Sequence, residues 1–185
     1  MKVFTEKRAE NFLRKQGFDI VETSFVKNEK QLNKVKFDFP IVMKVSSDKV
    51  VHKTKVNGIK LGIKNKGEAF KAFKELMKIK NAQGVIIQRQ VKGKEFLVGL
   101  KKTPEFGYVV GFGKGGSKVE KEKKVDFRVC GVKGVEKLSD NKKIQKIILK
   151  LCELSDLEIE SLDINPLILE KNKLVIVDAQ IVFEK

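Results

Sequence analysis

The sequence predicts an α/β protein in which the strands of a sheet are interleaved with amphipathic helices, arranged as one compact domain or two small lobes. Short runs of consecutive apolar residues recur along the chain and are typical of buried strands. Between these runs, apolar residues recur at helical spacing. The 185 residues are 41% hydrophobic, which is enough for a sizeable core and excludes a disordered basic chain.

The first half of the chain opens with a short amphipathic helix. Thr5 is a candidate N-cap, Ala9, Phe12 and Leu13 share one apolar face, and Gly17 ends the helix. The elements that follow are, in order, a strand at 18–25, a brief helix within 27–37, a buried strand at 40–45, a strand at 59–63, a helix at 68–77 and a buried strand at 85–88.

The second half repeats this alternation with glycine-rich connections. The predicted elements are a strand at 95–100, a strand at 108–112 that runs into the glycines of 113–116, a strand at 125–129, a helix at about 140–154, and a closing two-stranded hairpin at 161–169 and 174–179. If there are two lobes, residues 84–93 are the place where they meet.

The charge of the chain is strongly positive and unevenly distributed. The 40 Lys and Arg exceed the 24 Asp and Glu by 16, with +21 in residues 1–150 and −5 in residues 151–185. A basic body suits nucleic acid, an anionic membrane or phosphorylated small molecules. However, 36 of the 40 cations are lysine and they are scattered, whereas base readout favours arginine. We therefore expect mostly solvent-exposed lysines, and nucleic-acid binding is an outside alternative.

The N-terminus and the cysteines predict a soluble, cytoplasmic protein that does not bind membranes. The first residues contain no apolar signal region, and no stretch of about 18 apolar residues occurs. Cys130 and Cys152 lie in apolar surroundings without CxxC spacing or a neighbouring histidine. We interpret them as reduced core thiols rather than metal ligands or a disulfide.

Three features are candidates for binding a phosphate. Lys44 interrupts an apolar strand, so its ammonium group should either face a cleft with an anion or extend to the surface. Gly113, Gly115 and Gly116 leave backbone amides unobstructed, although any glycine-rich connection between strands has this property. His52, the single histidine, has lysine neighbours that favour a neutral ring and attract phosphate, but it also fits an ordinary surface loop.

The closing hairpin carries a candidate metal site. Asp163, Asn165 and Asp178 place three oxygen-bearing side chains on its two strands, and Asp163 and Asn165 share a face because the strand period is two. Such oxygen ligands suit a divalent cation that bridges nucleotide phosphates. Pro166 is easiest to accommodate at a strand edge, near a cleft.

In this order and spacing, the motifs resemble the ATP-grasp domain of the β subunits of ADP-forming acyl-CoA (acetyl-CoA) synthetases, relatives of succinyl-CoA synthetase. The resemblance runs nearly end to end through the segments 4–6, 17–18, 40–47, 51–54, 84–88, 93–95, 104–107, 112–116, 119–120, 127–128, 163–167 and 177–179. It implies an α+β (α/β two-lobe) ATP-grasp fold with two mixed or antiparallel sheets, flanking helices and the nucleotide between them. The N-terminal lobe would span 1–88 and the C-terminal lobe 89–185.

The resemblance implies ATP or ADP and Mg²⁺ as cofactors, and roles for individual residues. Lys44 would contact the phosphates, and Asn165 and Asp178 would hold the metal, so that charge on the transferring phosphoryl group is neutralised. Arg128, beside the phosphoryl path, and His52, as a phosphate relay, would have catalytic roles. The other nucleotide-binding positions that it implies are Gln88, Arg89, Gln90, Val91, Glu95, Gly113, Gly115 and Gly116.

The chain departs from the family pattern in ways that leave two hypotheses open. Lys55, Arg89, Thr103 and Lys124 stand where the family commonly has acids, and the segment before the final hairpin is shorter. The leading hypothesis is an ATP-binding subunit of an acyl-CoA synthetase, which transfers phosphate through a phosphohistidine and needs an α-type, CoA-binding partner subunit. The altered acids instead suggest a catalytically silent nucleotide-binding or regulatory module.

Overall fold

Two antiparallel sheets with flanking helices form the fold, as seen in a computed structural model that describes residues 2–4, 6–47, 53–116 and 124–184. The helices are α1 (Glu6–Lys15), α2 (Glu29–Asn33), α3 (Lys66–Met77) and α4 (Lys142–Cys152). The strands are β1 (Lys2–Phe4), β2 (Thr23–Val26), β3 (Ile41–Ser46), β4 (Ile59–Ile63), β5 (Gly84–Arg89), β6 (Lys94–Thr103), β7 (Gly107–Lys114), β8 (Val125–Val129), β9 (Ile159–Glu170), β10 (Lys173–Ile176) and β11 (Ala179–Phe183). The predicted fold class is confirmed.

The chain divides into two compact units, and the division is not the predicted one. Unit 1 comprises Met1–Ile20 and Val91–Lys185, and unit 2 comprises Val21–Gln90. The first residues belong to unit 1, not to an N-terminal lobe of residues 1–88, because β1 pairs with β11 near the other end of the chain. Ile20 makes a single bridge to Ile176, so the strand predicted at 18–25 is reduced to β2.

Unit 1 is built on the larger sheet, in the order β1-β11-β9-β6-β7-β8, with β10 paired to β9. Helices α1 and α4 place their apolar residues in one core with the inward-facing residues of β6, β7 and β9. From α4, Ile144, Ile148 and Leu151 are completely buried in this core. Helix α4 starts where Asn141 accepts a hydrogen bond from the Lys143 N–H at 2.9 Å.

Unit 2 is built on the smaller sheet, in the order β2-β5-β3-β4. Its core joins α3 to one face of β3 and β5, and this face carries Met43, Val45, Val85 and Ile87. Helix α3 begins with a reciprocal cap, because Asn65 accepts from the Glu68 N–H at 2.9 Å while the Glu68 carboxylate accepts from the Lys64 N–H at 2.8 Å. None of the helices in the described part of the chain is long and apolar enough to cross a membrane.

The prediction that the two cysteines are reduced thiols is wrong for this structure. Cys130 and Cys152 form a disulfide, with their Cα atoms 5.4 Å apart and 22 positions between them in sequence. Their spacing did not reveal the pair because only the tertiary fold brings the end of β8 beside the last residue of α4. The candidate N-cap Thr5 lies outside the described residues.

Candidate functional site

In unit 2, Lys44 and Gln88 lie on the sheet face that does not pack against α3. Lys44 lies opposite Ile86 in the pairing of β3 with β5, and Gln88 lies opposite Val42. The alternating residues Met43 and Ile87 belong to the α3 core, so Lys44 and Gln88 point the other way. Each of the two side chains is only 4% exposed. The fold therefore buries a lysine and a glutamine together on one sheet face. Burial of such polar side chains costs free energy unless they interact with polar partners.

The end of β5 is held firmly by Gln90. The Gln90 N–H donates to the Pro40 carbonyl at 2.8 Å, and its side-chain Oε1 accepts from the Gly62 N–H at 3.0 Å. Arg89, half-buried, lies opposite Ile41 in the sheet. The side chain of Val91, the first residue of the second segment of unit 1, is 8% exposed. Because the Gln90 N–H is engaged, it is not the donor for an adenine ring in this conformation.

In unit 1, the glycines that follow β7 pack against the start of β6. The Gly115 N–H donates to the Glu95 carbonyl at 3.0 Å, so this amide belongs to the sheet. A Cβ at Gly115 would overlap the Phe96 backbone, and one at Gly116 would overlap the Glu95 carboxylate. Gly116 has a φ of +95°, which favours glycine. Gly113 lies within the sheet, opposite Leu97 and Val125.

Asn165 connects the glycine segment to Asp178. Its Oδ1 accepts a hydrogen bond from the Gly116 N–H at 3.4 Å, and its own N–H donates to the Asp178 carbonyl at 3.2 Å. Asp178 lies in the short break between β10 and β11, which pair with β9 in one continuous register and together form the second arm of the predicted hairpin. Both side chains are half-buried. The structure thus brings the Gly116 amide, the Asn165 side chain and the Asp178 backbone together.

Asp163 lies on the open face of the larger sheet, the face away from α1 and α4. It pairs with Gly99 of β6. Its neighbours along β9, Leu162 and Ile164, point to the opposite face and into the core. Its Oδ1 would be 3.1 Å from a Cβ at Gly99, so the glycine provides the space for this carboxylate. The residue is exposed, but partial desolvation of its carboxylate by the surrounding sheet raises the pKa of Asp163, and the positive charge of Lys101 partly offsets this effect. Among the described residues, no three His, Cys, Asp or Glu side chains form a group that could hold a metal.

Arg128 is not on the same face as Asp163. It is exposed on β8 opposite Val110, which points into the core, whereas its neighbour Phe127 lies opposite Gly111 on the open face. The Phe127 ring approaches to 2.7 Å of the position of a Cβ at Gly111, and the residue is 65% exposed. Because the strand period is two, Phe127 and Arg128 lie on opposite faces of β8.

His52, the proposed phosphate relay, lies outside the described residues. Of the four positions that depart from the family pattern, Thr103 has a clear structural role. Its Oγ1 donates to the Gly107 carbonyl at 3.0 Å and accepts from the Phe106 N–H at 3.2 Å, which closes the turn between β6 and β7. Lys124 is exposed just before β8.

The family model of the ATP-grasp domain matches residues 1–137. The chain is 34% identical over 214 positions to the β subunit of ADP-forming acetate–CoA ligase I from Pyrococcus furiosus, covering 96% of this chain and 90% of that subunit. This alignment is longer than the chain, so the relative contains residues that this chain lacks. The ADP-forming acetate–CoA ligase II of Archaeoglobus fulgidus is 34% identical over 200 positions, which cover 96% of this chain but only 30% of that protein.

Comparison with solved structures supports the same assignment. The chain matches the dinucleotide-forming acetyl-coenzyme A synthetase 1 of Candidatus Korarchaeum cryptofilum, in complex with coenzyme A, Ca-AMPCP and HgCl⁺, with a TM-score of 0.83 and 28% identity over 99% of this chain and 94% of that one. This chain therefore combines similarity to these relatives with the structural features described above. These features are the order of the strands, the buried Lys44 and the cluster of Gly116, Asn165 and Asp178. The chain therefore belongs to the ATP-grasp family, in the branch of the β subunits of ADP-forming acetate–CoA ligases.

Proposed function

We propose that this chain is the nucleotide-binding subunit of an ADP-forming acyl-CoA synthetase, which interconverts acyl-CoA, ADP and phosphate with acid, CoA and ATP. The observation that carries the proposal is the contact of the Gly116 N–H with the Asn165 side chain, which is bonded through its own N–H to the Asp178 carbonyl, in a chain that spans 90% of a β subunit of such an enzyme. The chain spans only about 30% of the single-chain relatives, so a partner of the α type would supply the CoA site and the phosphohistidine.

The donor set fits a magnesium ion bound together with a nucleotide. Mg²⁺ prefers oxygen ligands and is usually held by one or two carboxylates plus phosphates and waters. The Asp178 carboxylate and the Asn165 amide oxygen would provide such ligands, and both residues are half-buried, Asn165 on β9 and Asp178 between β10 and β11. When bound, the ion would neutralise charge on the phosphates during transfer. The related synthetase that was solved with a nucleotide analogue holds it with a divalent cation, Ca²⁺.

Residues of the chain itself orient the phosphates. Lys44, at 4% exposure, supplies a buried positive charge whose interaction with an anion is stronger than at a solvent-exposed position. The Gly116 N–H makes a long bond to Asn165, 3.4 Å, and a phosphate oxygen is a stronger acceptor for it. Glu95, whose carboxylate lies beside Gly116, would be moved or reoriented when that amide binds a phosphate.

We assign the phosphoryl transfer itself to two further residues, His52 and Arg128. In this proposal His52 relays the phosphoryl group between the nucleotide and the phosphohistidine of the partner, and Arg128 neutralises charge along that path. Arg128 is exposed on β8, so it is accessible to a segment of a partner subunit. The backbone near Gln88 and Val91 is the proposed contact for the adenine ring.

Calorimetric titration of the full chain with ATP and Mg²⁺ tests nucleotide binding. Lys44→Met and Asp178→Asn should each weaken binding by about tenfold or more, because each removes a charge from the phosphates or the metal. Lys71→Met and Asp156→Asn make the same chemical changes at exposed positions and serve as matched controls. Binding that is unchanged in both site variants, or no ATP binding together with salt-sensitive DNA binding, would overturn the proposal.

The alternative, a catalytically silent nucleotide-binding module, is favoured by one observation. Arg89 occupies a half-buried position directly after Gln88, where the family commonly has an acid. Mixing the chain with the CoA-binding subunit from the same genome and ATP labelled at the γ-phosphate separates the two functions. Label on histidine, reduced by His52→Ala, supports the synthetase, whereas ATP binding without any label on protein supports the silent module.

A further inference from the structure

The disulfide joins two elements that differ greatly in how they are packed. Cys152 is the last residue of α4, a helix anchored by three completely buried side chains. Cys130 directly follows β8, and its N–H donates to the Tyr108 carbonyl at 2.8 Å. Both cysteines pack at the margin of the core of unit 1 and are half-buried. One end of the disulfide is therefore fixed, while the other depends on β8.

Strand β8 has few other attachments. None of its five residues is buried, and Asp126, Phe127 and Arg128 are exposed. It is the last strand in the order of the sheet, so it pairs with β7 on one side and with no other strand of the described chain on the other. An edge strand with so little buried apolar surface has a low local free energy of opening. The disulfide is thus a principal constraint on β8 in addition to its hydrogen bonds with β7.

Strand β8 is also coupled to the glycine segment. Val125, its first residue, pairs with Gly113, and the Lys124 carbonyl would be 2.6 Å from a Cβ at Gly113. A displacement of β8 therefore changes the environment of the strand that leads into Gly115 and Gly116. Because the sequence contains only these two cysteines, there is no other thiol in the chain with which the disulfide can exchange.

We propose that Cys130 and Cys152 form a redox-sensitive tether, whose reduction loosens β8 and thereby lowers the affinity of the glycine segment for a nucleotide. The reductant is a dithiol. One of its thiolates attacks a cysteine sulfur and breaks the disulfide, and its second thiol then displaces this sulfur from the mixed disulfide. Two electrons and two protons pass to the cysteines, leaving two thiols in the protein and a disulfide in the reductant. The effect on nucleotide affinity rests on the proposed function, whereas the effect on β8 does not.

The test compares the oxidised full chain with the same chain treated with dithiothreitol, by hydrogen exchange and by titration with Mg²⁺ and ATP. On reduction, amides of β8 should exchange at least about tenfold faster while amides of α3 do not change, and nucleotide affinity should fall about fivefold or more. The double variant Cys130→Ala/Cys152→Ala should resemble the reduced chain and should not respond to dithiothreitol.

Three results would overturn the tether or its link to the nucleotide. Two free thiols in the chain after equilibration with oxidised dithiothreitol, or equal exchange of β8 in both forms, would eliminate the tether. Equal nucleotide affinity in both forms would eliminate the link. If neither form binds a nucleotide but β8 still responds to reduction, the proposed function fails and the tether stands.

Discussion

Asn165 Oδ1 accepts a hydrogen bond from the Gly116 N–H at 3.4 Å, so a candidate metal ligand and the glycine segment meet although 49 positions separate them in sequence. The bond is at the long end of the range for N–H···O contacts. A ligand that offers both a cation to Asn165 and an anion to the Gly116 amide would replace this contact with two better ones. A nucleotide with its divalent cation has this combination.

Gly116→Ala should weaken nucleotide binding more than it destabilises the fold. The new methyl group would overlap the Glu95 carboxylate, in addition to the strain of a φ of +95°. Gly107→Ala is the matched control, because Gly107 also has a positive φ, +67°, but nothing lies within 4 Å of its added Cβ. Gly107→Ala should lose about 1 kcal/mol of unfolding free energy, and Gly116→Ala should lose somewhat more because the Glu95 carboxylate must also move. Only Gly116→Ala should lose nucleotide affinity in calorimetry, and equal losses in both would contradict the assignment of Gly116.

Asn165→Ala should reduce the Mg²⁺ dependence of nucleotide binding. We expect about a tenfold rise in the Mg²⁺ concentration needed for half-maximal binding, because one of two protein oxygen ligands is lost. Asn172→Ala, in the exposed turn between β9 and β10, is the control and should leave this concentration unchanged. A Mg²⁺ titration at fixed ATP measures the effect. An unchanged midpoint in Asn165→Ala would remove Asn165 from the metal site.

Asp163 should make the stability of the protein depend on pH in the acidic range. Partial desolvation raises its pKa in the folded state above the ordinary value of 3.8, so its contribution to stability is fully present below 3.8 and is lost as the pH rises through the folded-state pKa. Asp163→Asn should therefore stabilise the protein increasingly as the pH rises through this window. Urea unfolding at a series of pH values measures the difference.

Lys101 provides a second check on Asp163. Its positive charge lowers the pKa of Asp163, so Lys101→Met should raise that pKa further and extend the window of pH dependence to higher pH. A stability difference between wild type and Asp163→Asn that is the same at every pH would show that desolvation of the carboxylate does not cause the difference.

Ile148→Ala should destabilise unit 1 strongly, because Ile148 on α4 is completely buried. We expect a loss of about 3 kcal/mol from the removed apolar contacts and the cavity. Its neighbour Leu149 is 42% exposed, and Leu149→Ala should cost about 0.5 kcal/mol or less. Thermal unfolding followed by circular dichroism distinguishes the two. Similar losses would show that α4 packs on the sheet through a different face.

Local patterns predicted much of the fold because helical and strand periodicity are properties of short segments. The apolar run around Lys44 is β3, and the apolar face of the helix at 140–154 is the buried face of α4. The proximity of Asn165 and Asp178 also followed from the pattern, since a turn between neighbouring strands brings its flanks together.

Features that depend on long-range pairing could not be predicted in this way. Strands β1 and β11 are short, and each is stabilised by pairing with a distant segment rather than by its own composition. The same reason applies to the disulfide and to the placement of the first residues in unit 1. The face on which Arg128 lies depends on the register of β8 with β7, and this register is not a property of either strand alone.

The pairing of β1 with β11 has a consequence for how the protein is made. Unit 2 is one uninterrupted stretch, whereas β1 emerges from the ribosome before unit 2 and its partner β11 emerges after it. While unit 2 is being synthesised, β1 does not yet have its native partner strand β11. Contacts of such high sequence separation form slowly. The order of synthesis therefore favours an intermediate in which unit 2 is folded while unit 1 still lacks β11.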